Sequence, residues 1–233
     1  AVWLLLQKGG CYMAKKKVTT YKWDEFLRRL KSSIFHPKRQ SKDILFRLVF
    51  GNDRQALLQL YNVLHGTAYT DPHELQIVTL DNAIYISRKN DLAFLLAGSI
   101  NMYEHQSTLN PNMPVRFLIY LAQEYQLLVE STDKSLYGSE LIPLPTPQCV
   151  IFYNGTADTP DEYELRLSSA FSNQDVEPAA EVVVKVININ YGHNDHLMQG
   201  CGMLSQYAQF VAVTREYANK YDNREEAMNA AIE

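Results

Sequence analysis

From residue 92 the chain runs Leu-Ala-Phe-Leu-Leu-Ala, breaks at Gly98-Ser99 and resumes Ile-Asn-Met-Tyr, two short apolar runs closing on each other. That pattern predicts a β-hairpin. Polar residues bracket it: Asp91 in front, Glu104, His105 and Gln106 behind. With Ala97 and Ile100 flanking a two-residue turn, the antiparallel register sets Asp91 opposite Gln106 and Ala93 opposite Glu104. Facing residues share a face, as do residues two apart on one strand, so Asp91, Glu104 and Gln106 crowd together. Two carboxylates about 5.5 Å apart repel by roughly 3 kcal/mol at an effective dielectric near 20. Either a divalent cation offsets that repulsion, or Asp91 caps the strand while Glu104 sits on a solvated edge facing a protein cation. A D-x₁₂-E-x-Q pattern is short and common, and spacing alone leaves both readings open. Changing the pairing sum by one residue would send the two acids to opposite faces and remove the shared ion.

The pattern upstream is helical. Trp23, Phe26, Leu27 and Leu30 make one helical face, ended by Ile34-Phe35-His36-Pro37. Ser41-Lys42-Asp43 opens a second helix with Ile44, Leu45, Leu48 and Val49 inward and Gly51 as its stop. Asn52 or Asp53 caps a third, with Ala56, Leu57, Leu60, Val63 and Leu64 as its stripe and His65-Gly66 at its end. Leu75 to Leu80 is short and β-branched, a strand, and residues 82–87 prolong it or fold back beside it. Downstream, Val115 to Glu130 predicts a strong helix carrying Phe117, Leu118, Leu121, Tyr125, Leu128 and Val129 on one side. Gln148 to Tyr153 is a buried strand stopped by Asn154-Gly155, after which come an acidic loop from Asp158 to Glu164, a strand from Val182 to Ile189 and a long helix from about His196 to Tyr217. Arg116 falls in the first turn of its helix, where a cation opposes the dipole; it calls for a specific anionic partner.

The 233 residues are 46% hydrophobic and 21% charged, the composition of an ordinary globular chain with a substantial interior. The net charge of −4 is no nucleic-acid signature. Its distribution says more: residues 1–47 carry 12 Lys or Arg against 3 Asp or Glu, leaving 10 against 23 for the rest. A basic arm of that kind is either solvated or in contact with phosphate. Three widely spaced cysteines, Cys11, Cys149 and Cys201, give no disulfide framework and fit a reducing, cytoplasmic setting. His193, His196 and Cys201 form an H-x₂-H-x₄-C cluster that reads as loop polar residues rather than a metal site. No run approaches the length of a membrane span. Residues 1–12 read as lying outside the fold, ahead of a start at Met13.

Helix, three strands, helix, strand, with Asp opening the second strand and E-x-Q on the third, resembles the PD-(D/E)XK nuclease superfamily. Within it the chain is similar to the bacterial recombination-promoting nuclease and transposase-type family. The matching residues are Lys42-Asp43-Ile-Leu-Phe46-Arg-Leu-Val-Phe50-Gly51, Asn90-Asp91-Leu92, Glu104-His105-Gln106-Ser107, and Val115-Arg116 through Tyr125. They span about residues 42–153, and their order and spacing carry more than any one motif. The resemblance implies an α/β fold with a restriction-endonuclease-like αβββαβ core, a mixed sheet flanked by helices. The division expected is a basic N-terminus over 1–20, the core over 21–155 and a strand-helix extension over 156–233.

It also implies Mg²⁺-dependent cleavage of DNA phosphodiester bonds, with Mn²⁺ able to substitute. Asp91, Glu104 and the backbone carbonyl of His105 would hold the ion, the His105 side chain pointing away, and Gln106 would orient water. Glutamine stands where many members carry lysine; it cannot supply charge or exchange a proton near neutral pH, so base work falls to ion-bound water or substrate phosphate. Asp43 either belongs to the site or caps its helix. Arg116 either reaches the scissile phosphate or pairs with Glu104 or Asp91. The alternative is an inactive nuclease-fold module that binds DNA or protein, which the acidic body favours. No separate domain of obvious helix-turn-helix type supports a transposase in the strict sense, although the helical, basic segment 21–51 leaves that point open. A homodimer is compatible with the pattern.

Overall fold

A computed structural model describes residues 41–78, 91–218 and 220, without the side chains of 41–45 and 48. The helix expected over 21–34, the N-terminal arm, the strand expected over 82–87 and residues 222–233 lie outside that description. So does the side chain of Asp43.

The fold is α/β. Helices α1 (Ser41–Asn52) and α2 (Arg54–His65) precede strands β1 (Gln76–Ile77), β2 (Leu92–Leu96) and β3 (Ser99–Gln106). Helix α3 (Met113–Glu130), strands β4 (Thr146–Tyr153), β5 (Glu162–Arg166) and β6 (Val183–Asn188), and helices α4 (Asp195–Gly200) and α5 (Gly202–Ala218) follow. One mixed sheet runs in the order β1-β2-β3-β4-β6-β5. Its three central strands, β3, β4 and β6, are parallel, and the outer pairs are antiparallel.

Each face carries its own core. On one, Leu92, Phe94, Leu96, Tyr103, Val150, Phe152 and Ile187 pack under α1, α2, α4 and α5. Phe46 of α1 is its hub, with ring centroids 4.8 Å from Phe50, 5.0 Å from Phe152 and 5.4 Å from His105. On the other, Ala93, Ile100, Met102, Ile151, Val184 and Val186 pack against α3. Alternation along each strand divides the residues between these layers. The helix-forming signals around α2 work as their chemistry dictates. Asp53 Oδ1 accepts from the Ala56 amide at 3.0 Å, and Gly66 ends the helix at φ 62°.

Four details differ from the sequence reading. First, Leu96 pairs with Ser99, so the hairpin turns at Ala97-Gly98, one residue earlier than expected. Both turn residues have positive φ, 50° and 74°, the geometry whose twist matches the flanking strands. The pairing sum falls by two, an even step, and the faces are preserved. Second, the supposed acidic loop contains edge strand β5, whose Tyr163 and Leu165 face the core while Glu162, Glu164 and Arg166 face out. Charges on an exposed edge discourage pairing with another chain, and here they hid the alternation. Third, the long C-terminal helix is two helices, separated at Cys201, which is extended at φ −124° and ψ 93°. Fourth, α3 is rotated. It buries Met113, Phe117, Tyr120 and Glu124, whereas Leu118 is 39% exposed.

The rotation brings a carboxyl inside. Glu124 is 2% exposed, and its Oε1 has no hydrogen-bond partner among the described residues. Burial pushes its pKa from 4.5 up to about 7. A carboxyl whose folded pKa exceeds its unfolded value binds protons more tightly when folded, and stability falls as pH rises from about 4.5 to about 7. The expected loss is about 3 kcal/mol, complete above that range. Urea melts of wild type and Glu124→Gln across pH 5 to 8 check it: the variant should lack this slope, and parallel curves would reject the assignment.

Candidate active site

The carboxyl ends of β3, β4 and β6, with the start of β2, form one edge of the sheet. Asp91 sits there, immediately before β2, and the observed register sets it across from Glu104. Its Oδ2 accepts the backbone N–H of His105 at 2.8 Å. The carboxylate therefore bridges two strands where their ladder ends.

Glu104 lies on the α3 face and is 3% exposed. Arg116, one turn into α3, reaches it with Nη2 at 3.3 Å from Oε1. The anionic partner that its place in the helix demanded is thus Glu104. Arg116 also donates to the Tyr120 hydroxyl from Nε at 3.2 Å and from Nη2 at 2.9 Å, and Nη1 lies 3.1 Å from the Met113 sulfur. Burial works against the guanidinium charge, yet Glu104, Tyr120 and the more distant Asp91 together hold its pKa above the ordinary value. Tyr120 is also raised, first by burial, with Glu104 and Asp91 adding to it against Arg116. Both acids are therefore close enough to act on the same pair of side chains. Gln106, two residues beyond Glu104, shares its face and donates from Nε2 to the Met113 sulfur at 2.6 Å.

The His105 side chain points into the other layer. Its Nε2 is 2.8 Å from the Tyr207 hydroxyl of α5, and its ring stacks on Phe46. Only its backbone belongs to the carboxylate side. Met113 and Tyr120 escaped the sequence reading. Tyr120 had a usable signal, since it stands four residues after Arg116 on a helix and the two must therefore be neighbours.

Asp91 and Glu104 are hard oxygen donors, suited to a divalent cation rather than to a soft metal. Among the described residues there is no group of three or more His, Cys, Asp or Glu that could ligate an ion, so a cation here would need backbone or water oxygens as well. Of the H-x₂-H-x₄-C residues, Cys201 is fully buried, while His193 Nδ1 pairs with Asp161 at 2.6 Å.

Close packing fixes the edge. A Cβ on Gly155, just past β4, would meet the Tyr153 hydroxyl and lie 2.5 Å from the Ser107 carbonyl oxygen. Gly155→Ala should destabilise by about 2 kcal/mol, because the Ser107 backbone cannot swing aside as a side chain would. Equilibrium unfolding measures this, and a change within 0.5 kcal/mol, about what surface substitutions give, would show that the edge yields.

Comparison with models of known protein families, with curated proteins and with solved structures finds no match.

Proposed function

We propose that the chain is a metal-dependent DNA endonuclease of the PD-(D/E)XK kind, with its reaction centre at the carboxyl end of β3. The observation that carries this reading is that Asp91 and Glu104 meet across neighbouring strands on one face, beside Gln106 and Arg116. Support also comes from the mixed sheet with helices on both faces, which suits a restriction-endonuclease-like core.

Asp91 and Glu104 would hold Mg²⁺, with the His105 carbonyl as a further oxygen. When bound, such an ion polarises the scissile phosphate and lowers the pKa of water. The residues of the chain do the rest. Gln106 offers an amide that can orient the attacking water, and Met113 steadies that amide from the first turn of α3. Arg116 supplies fixed positive charge beside the reacting phosphate, held in direction by Tyr120.

One observation favours a second reading, a nuclease fold that binds without cutting: Glu104 is already paired with an internal cation, Arg116. Incubating supercoiled plasmid with the purified protein separates the two. Nicking or linearisation in Mg²⁺ that EDTA abolishes is the expected result. Intact plasmid in both Mg²⁺ and Mn²⁺, together with no heat of ion binding, would favour the second.

A further inference from the structure

The parallel strands leave their sheet in opposite directions. The chain passes from β3 to α3 on one face and from β6 to α4 and α5 on the other. The carboxyl end of β4 lies between these exits, the place in the topology where open α/β sheets bind ligands. Asn154 and Gly155 follow β4 there, and Asn188 and Asn190 stand at the end of β6, Asn190 bonded to both Gly155 and Asn188.

Arg215, in the last turn of α5, reaches this end of the sheet. Its Nη1 donates to Asn190 Oδ1 at 2.7 Å, and its Nη2 to the Asn154 carbonyl and, at 3.4 Å, to Asn154 Oδ1. Every one of these acceptors is neutral, and Nε is buried with no partner among the described residues. Arg116 has a carboxylate; Arg215 is paired with none among the described residues. Burial lowers its pKa, with Tyr207 and Tyr153 acting the other way. A cation at a helix C-terminus gains from the dipole, but that alone does not require two asparagines to aim it across the sheet edge. Asn154 is itself fixed by a bond from Nδ2 to the Tyr207 hydroxyl, at 3.3 Å, and Asn190 by bonds to Gly155 and Asn188. The guanidinium is preorganised for an anion, and phosphate suits its fork of donors.

We infer that the carboxyl end of β4 is a phosphate subsite, with Arg215 as its cation and Asn154 and Asn190 as its aiming residues. Its phosphate belongs to a nucleic-acid backbone, and for that source alone the inference rests on the nuclease reading. Nucleic acid would then lie along the sheet edge, one phosphate beside Arg116 and another at Arg215.

The test is fluorescence anisotropy with a labelled 20-base-pair duplex in EDTA, where no cleavage occurs, beside a titration of ¹⁵N-labelled protein with inorganic phosphate. Arg215→Gln should weaken duplex binding about tenfold and reduce the salt slope by about one, with Arg215→Lys within about threefold of wild type. Phosphate should shift the Arg215 Nε–H resonance in wild type. Asn154→Asp, which sets a carboxylate beside the guanidinium, should abolish that shift and serves if Arg215→Gln fails to fold. A folded Arg215→Gln with unchanged affinity and slope, or Asn154→Asp with unchanged binding of both probes, would overturn the subsite. So would a wild type that binds neither probe. Phosphate binding without duplex binding would leave the subsite standing with free phosphate as its ligand, and would count against the nuclease reading alone.

Discussion

Asp91→Asn is expected to cut Mg²⁺-dependent plasmid cleavage by about a thousandfold, the loss of roughly 4 kcal/mol of transition-state stabilisation. Thermal stability should stay near that of wild type. The asymmetry comes from what Asp91 does in the structure: its Oδ2 accepts the His105 amide, and an asparagine oxygen can accept the same bond. Asp91→Ala removes the acceptor as well, adding a cost of about 1 to 2 kcal/mol for the lost hydrogen bond. Comparing the two variants by plasmid cleavage and by thermal melting separates ion binding from strand bridging. Full activity in Asp91→Asn would end the proposed chemistry, whatever the melting curves look like.

Arg116→Met should destabilise the fold by about 3 kcal/mol, because the Glu104 side chain, only 4% exposed, loses the guanidinium that offsets its buried charge. Most of that loss should return in the double variant with Glu104→Gln, which removes the buried charge. The pair also gives a reading of the metal site without any substrate. If Glu104 holds a divalent ion, added Mg²⁺ replaces the missing guanidinium and should raise the melting temperature of Arg116→Met by more than that of wild type. Equal Mg²⁺ responses in the two proteins would remove Glu104 from the ligand set.

The parts of this structure that the sequence reveals are those set by local chemistry. Asp53 and Gly66 bound a helix because a carboxylate and an αL-tolerant residue are needed at its two ends. The shared face of Asp91 and Glu104 follows from a two-residue alternation that an even shift of register leaves untouched. The turn itself was misplaced because Gly98 can occupy either central position, and nothing in Ala97 advertises a positive φ. What tertiary packing decides was not legible. Glu124 faces inward against its polarity because the stripe through Met113, Phe117 and Tyr120 carries it there. Strand β5 exists because β6 offers it an edge to pair with, while its own sequence looks like solvent-exposed loop. Arg215 has no local signal for the same reason: its partners, Asn154 and Asn190, are 61 and 25 positions away along the chain.

Two consecutive residues of β3 are moored to different layers, Glu104 to α3 through Arg116 and His105 to α5 through Tyr207. The strand cannot slide or roll without straining both tethers at once. The acidic edge therefore has little mechanical freedom of its own, and a bulky ligand must be accommodated by the connecting segments around it, 108–112, 156–161 and 191–194. Variation in those three segments would change which ligands are admitted while leaving the spacing of the carboxylates alone.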